Sequence, residues 1–107
     1  MTADAAADTL HIVSRSPLAT DALATCLRLS RAGSSVLLIE DAVYAALATV
    51  DVGRSLRALA RRRVLVLGPD LLARCGSSPV LRPGVTVVDD GGFVDLVCDH
   101  ARVRSWL

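Results

Sequence analysis

The chain has 107 residues, 52% of them hydrophobic but only 3% aromatic, and its 12 basic and 11 acidic side chains leave a formal charge of +1. That length fits one domain and leaves no room for a second core, and the near-balanced charge argues against a domain that binds by neutralising many phosphates. So small a domain has too much surface to bury this many Ala, Val and Leu residues by itself, so the composition points to an oligomer.

Residues 1–8, MTADAAAD, lack the positive start and apolar core of a signal peptide and read as a flexible tail. No apolar run reaches the roughly 18 residues that span a bilayer, so a cytoplasmic protein is expected. Residues 9–107 read as a single α/β domain. Its first strand is TLHIV (9–13), followed by a turn in which Ser16 caps a helix with Pro17 at its first position; Thr20 is a second possible cap, and Gly33 closes that helix. SVLLIE (35–40) is the second strand, and Asp41 is placed to cap AVYAALATV. A further helix runs through SLRALARR, RVLVLG (63–68) is the third strand, and Pro69 and Asp70 open the LLARC helix that Gly76 stops. GVTVVD (84–89) is the fourth strand; Asp89, Asp90, Gly91 and Gly92 form the turn into a last helix, FVDLVCDHARV.

Apolar strands alternating with helices imply βαβ units and a parallel sheet covered on both faces. The expected fold is a small doubly wound α/β domain with a mainly parallel sheet of four to five strands and helices on both faces. Ligands of such sheets gather at the carboxyl ends of the strands, which brings forward Ser14, Arg15 and Ser16, then Glu40 and Asp41, Gly68 to Asp70, and Asp89 with Asp90. The glycine signatures of nucleotide-binding and α/β-hydrolase sites are missing from the sequence. Glu40 and Asp41 are neighbours that an extended strand would point to opposite faces, which suits capping better than paired acid–base work. His11, inside a strand, suits a satisfied core position, and His100 suits a helix C-terminus. Arg61, Arg62 and Arg63 end a helix, where cations complement the dipole. Arg15 stands beside a helix start and can hold an anion there.

The three cysteines, Cys26, Cys75 and Cys98, form no C-x-x-C pair, so neither a disulfide framework nor a zinc site is expected, and the thiols should be free. At 100° per residue, Ala22, Leu23, Cys26, Leu27 and Ser30 share one helical arc with Cys26 near its middle, a geometry that favours a buried thiol.

The ordered segments LHIVSRSP, TDALATCLRL, VLLIEDAVYAAL, VLGPDLLARC, VTVVDDGGFVDLV and the terminal SWL resemble the DsrH/TusB family of sulfur-relay subunits, over Leu10 to Leu107. The resemblance implies a DsrE-like α/β fold and a heterohexamer with two related subunits, of the DsrE/TusD and DsrF/TusC types, two copies of each chain. It also implies relay of persulfide sulfur to a DsrC- or TusE-type carrier, in sulfur oxidation or in tRNA wobble-uridine 2-thiolation. Neither metal nor organic cofactor is implied, and neither direct nucleic-acid binding nor a membrane. Cys26 matches a position where DsrH-type members carry a cysteine and is the candidate sulfur-handling thiol; the main persulfide cysteine of the family belongs to the larger partner. Arg15 or a protonated His11 would assist the thiolate. Trp106, near the C-terminal end, is expected to dock onto its own core or a partner and is the candidate interface residue.

Overall fold

Strands buried on both faces need no polar alternation, and β1 (Thr9–Val13), β2 (Ser35–Leu38) and β3 (Arg63–Leu67) are apolar nearly end to end and buried at almost every position. The computed structural model, which describes residues 9–107, places these three at the middle of a five-stranded parallel sheet in the order β4-β3-β2-β1-β5. Val36 of β2 sits between His11 and Val64, and this register continues through Val13, Leu38 and Val66. The edges are β4 (Thr86–Val88) and β5 (Arg102–Trp106).

Side chains alternate across the sheet. On one face, Val13, Val36, Leu38, Val64, Val66 and Trp106 meet four helical segments: α1 (Ala22–Leu29), a 3-10 segment (Glu40–Ala46), α2 (Ser55–Ala60) and α3 (Gly68–Cys75). On the other, Leu10, Ile12, Leu37 and Leu65 meet α4 (Asp90–Asp99) through Leu96 and Phe93. Each fully buried aliphatic side chain contributes roughly 1.5–3 kcal/mol. With helices on both faces of a parallel sheet, the doubly wound α/β fold expected from the sequence is the one found. The tail expected over residues 1–8 lies outside the described residues.

Four local expectations are corrected. The first helix starts at Ala22 rather than Pro17, because the Ser16 carbonyl and hydroxyl already take the N–H groups of Leu18, Ala19 and Thr20 in a closed turn. It also ends at Leu29, leaving Gly33, at φ +87°, to the turn beyond it. Asp41 does not cap a helix; its carboxylate pairs with Arg74 at 2.8 Å, and it lies inside a 3-10 segment that begins at Glu40. Asp89 is itself the cap of α4, its Oδ1 accepting from Gly92 N–H at 2.7 Å, so the two glycines lie inside the helix. Finally, α4 stops at Asp99, and Arg102 and Val103, read as its end, join Arg104, Ser105 and Trp106 in β5 alongside β1.

Candidate functional site

The chain lays down β1, β2, β3 and β4 outward in one direction, then returns to place β5 on the opposite side of β1. Strand order therefore reverses between β1 and β5, the kind of crevice where doubly wound sheets hold ligands. Pairing at this seam sets His11 against Arg104 and Val13 against Trp106. Because α1 packs over the same face, Cys26 belongs to the same core cluster as Val13 and Trp106.

Leu23, Cys26 and Leu27 are the buried stripe of α1, the arc that the helical spacing assigns to the core. Cys26 is 0% exposed. Burial pushes its thiol up to about 11, against an opposing pull from Arg62, Arg104 and a hydrogen bond from Ser30. At pH 7 such a thiol is ionised in only about one molecule in ten thousand, and the thiolate is the nucleophile. The later helix start leaves Cys26 in the second turn, beyond the reach of the N-terminal dipole.

Arg62 is the organising cation of this neighbourhood. Its Nη2 donates to the carbonyls of Leu27 (2.8 Å) and Ser30 (2.7 Å), its Nη1 to Ala58 (3.2 Å) and its Nε to Ser30 Oγ (3.2 Å). One guanidinium thus serves the carboxyl ends of α1 and α2, where unpaired carbonyls and the helix dipole favour a cation. Ser30, four residues after Cys26, links that cation to the thiol.

His11 is buried, and Trp106 Nε1–H donates to its Nδ1 at 3.0 Å. Indole nitrogen can only donate, so His11 Nδ1 carries a lone pair. Burial, then Arg104 and Arg62, lower the His11 pKa below its ordinary 6.5 and keep the ring neutral. Arg104 in turn lies 4.0 Å from the Trp106 ring centroid, a cation–π contact. Trp106 is therefore seated on the chain's own core.

Of the candidates from the sequence, the fold brings Cys26, His11 and Trp106 into one region and leaves Arg15 exposed in the loop after β1. The cations that act on Cys26 are Arg62 and Arg104. Sequence reasoning treats Arg62 as a helix-ending charge or part of a partner-binding patch, and gives Arg104, just past the last expected helix, no role. Ser30 does share an arc with Cys26, but its link to Arg62 spans 32 positions and leaves no local signature.

The other thiols differ. Cys75 is half-buried, with its pKa raised by burial against the nearby Arg74; Cys98 is exposed on α4. His100 is satisfied, its Nδ1 donating to Leu96 O (2.7 Å) and its Nε2 meeting Ser35 Oγ (3.1 Å). At the carboxyl end of β2, Glu40 N–H donates to Asp70 Oδ2 at 2.7 Å, so Glu40 and Asp41 are tied separately to α3. Among the described residues, no helix is long and apolar enough to cross a membrane.

Comparison with known proteins bears on this geometry. The family model described as DsrH like protein matches residues 15–103. Protein TusB of Escherichia coli (strain K12) is 37% identical over 99 residues, spanning 91% of this chain and 99% of the relative. Protein TusB of Pectobacterium parmentieri is 37% identical over 97 residues with the same coverage. Among solved structures, the crystal structure of the ychN protein from E. coli superposes with a TM-score of 0.69 over 92% of this chain and 98% of its own, at 19% identity, a likeness of fold.

Proposed function

The chain belongs to the DsrH family, and from that premise we propose that it is the DsrH/TusB-type subunit of a cytoplasmic heterohexameric sulfurtransferase that relays persulfide sulfur to a DsrC/TusE-type carrier. Residues 9–107 act as its single DsrE-like domain. Its partners are two related chains of the DsrE/TusD and DsrF/TusC types, and a larger partner carries the principal persulfide. This chain's own contribution is to complete and shape the complex.

The observation that carries this division of labour is the complete burial of Cys26, with its thiol pushed up to about 11. Such a group is neither reachable by a donor persulfide nor ionised enough to attack one. The exposed aliphatic side chains of α4 and β5, Val94, Val97 and Val103, support a subunit that covers them with other chains.

A second reading keeps Cys26 in the relay, and the pull of Arg62, Arg104 and Ser30 toward its thiolate favours it. In that step, thiolate Sγ attacks the outer sulfur of the donor persulfide. A new Sγ–S bond forms, the donor S–S bond breaks, and the donor sulfur leaves as a thiolate that takes up the proton Cys26 gave to solvent. No net oxidation occurs, and neither a metal nor an organic cofactor is required. The step needs α1 or β5 to move far enough to uncover Sγ.

Co-expression with the two partner types, followed by light scattering and by transfer to either carrier from a persulfide donor, tests the proposal. A heterohexamer that delivers sulfur, and a complex lacking this chain that does not, are the expected results. A stable monomer that ignores both partners would reject it, and the carrier that accepts sulfur identifies the branch.

A further inference from the structure

The formal charge of +1 hides a segregation. Between Asp21 and Glu40, and again between Asp51 and Asp70, there is no acidic residue, yet these two stretches hold seven of the chain's 12 basic residues. They fold into α1 with β2 and α2 with β3; the two helices bury their inner stripes in the same core and are joined at their carboxyl ends by Gly33 N–H to Arg61 O (2.8 Å) and by Arg62. The outward side chains Arg28, Arg54, Arg57, Arg61 and Arg63 are all exposed.

An apolar feature lies on α2 beside these arginines. Leu56, 53% exposed on α2, stands at a cavity of about 340 Å³ whose walls include Ala45, Leu59, Ala60, Val64 and Val85. Arg62 and Arg82 also line it, each fixed by backbone carbonyls: Arg82 donates to Ala45 O at 2.8 Å and also to Val50 O. Asp51 lines an adjoining cavity with Leu56 and Arg82 and accepts a hydrogen bond from Gly53 N–H at 2.7 Å.

We propose that the outward surface of α1 and α2, with the cavity beside Leu56, is a docking site for a protein segment that presents an aliphatic anchor residue among acidic side chains. Arginines around an apolar socket are the composition of a protein interface, with a desolvated centre and a charged rim. A nucleic acid fits less well, because stacking of bases needs aromatic platforms, and neither α1 nor α2 has an aromatic residue. A second copy fits poorly too, since a two-fold pairing of this face would set arginines against arginines.

The test uses the full chain and a fluorescent synthetic helical peptide with leucines at i, i+3 and i+4 among glutamates, read by anisotropy at low and moderate salt. A Lys-for-Glu version of the peptide and a single-stranded RNA of matching charge serve as competitors. Saturable binding that weakens with salt is expected, with at least a tenfold loss in Arg28→Glu/Arg57→Glu/Arg61→Glu. A loss is also expected in Ala60→Phe, which fills the cavity and leaves every charge in place. Arg57→Gln/Arg61→Gln, which keeps the Gly33 hydrogen bond to the backbone, guards against a folding effect and should show an intermediate loss. Tighter binding of the RNA or of the Lys peptide, or unchanged affinity in the triple variant or in Ala60→Phe, would overturn the proposal.

Discussion

Trp106 Nε1 donates to His11 Nδ1 at 3.0 Å, joining the penultimate residue of the chain to the middle of its first strand across 95 positions. A protonated imidazole has no lone pair to offer, so this bond exists only with His11 neutral. The folded-state pKa lies below the ordinary 6.5, which fixes the sign of the pH dependence. The stability contributed is present in full above pH 6.5 and is lost as pH falls through 6.5 toward the lowered folded value, because the unfolded chain then binds more protons. Urea midpoints measured across that window should fall with pH in the native chain. In His11→Gln, whose amide oxygen can accept the same bond without titrating, the slope should shrink; an unchanged slope would place the titration elsewhere.

Trp106 adds packing to that bond. Trp106→Phe should cost about 1–3 kcal/mol, chiefly by leaving His11 without a donor, and Trp106→Ala about 3–5 kcal/mol, both read from urea unfolding. Removal of residues 105–107 should weaken assembly with the partner chains as well, because β5 lies alongside β1 through Trp106. Undiminished heterohexamer after that deletion would separate Trp106 from assembly.

Arg62 fixes two helix ends with one side chain, so Arg62→Met, similar in length and apolar, should cost about 2–3 kcal/mol by leaving the carbonyls of Leu27, Ser30 and Ala58 without their charged donor. The same change removes an attraction for the Cys26 thiolate and should raise that pKa further. Thermal melting and the pH profile of Cys26 alkylation in the variant measure the two effects separately.

Glu40 adopts φ +49° directly after β2, a backbone conformation that costs a residue with a Cβ about 1–2 kcal/mol. Glu40→Gly relieves that cost but gives the unfolded chain more freedom, so stability should rise by no more than about 1 kcal/mol. Its N–H bond to Asp70 is retained in the variant, and a fall in melting temperature would show that the glutamate side chain matters more than the backbone.

Much of this fold is legible in the sequence because its signals are local. The apolar runs of β1 to β3 mark buried parallel strands, Pro69 and Gly76 bracket α3, and the 100° spacing that turns Cys26 inward is the spacing α1 adopts. What fails depends on distant partners. Arg102 to Trp106 show no apolar alternation, with two charges on the same face as Trp106 and a helical pattern before them, so nothing marks them as a strand until β1 supplies the pairing. Asp41 looks like a cap until Arg74, 33 positions away, takes its carboxylate. The surroundings of Cys26 are hidden for the same reason: Arg62 and Arg104 reach it from α2's end and from β5, and a lone cysteine in a helix announces neither.

The status of Cys26 within the assembled complex is measured most directly by loading that complex with a persulfide donor, trapping thiols by alkylation under native conditions, and mapping the peptides of all three cysteines. Exposed Cys98 should alkylate fastest in the free chain and become protected where partner chains cover α4, and half-buried Cys75 should react more slowly, whereas Cys26, 0% exposed and with its thiol at about 11, should stay unlabelled in both. Cys26→Ser should then leave the rate of delivery to the carrier unchanged. An added sulfur on Cys26, together with loss of delivery in Cys26→Ser, would contradict the division of labour and make this chain's own thiol the relay.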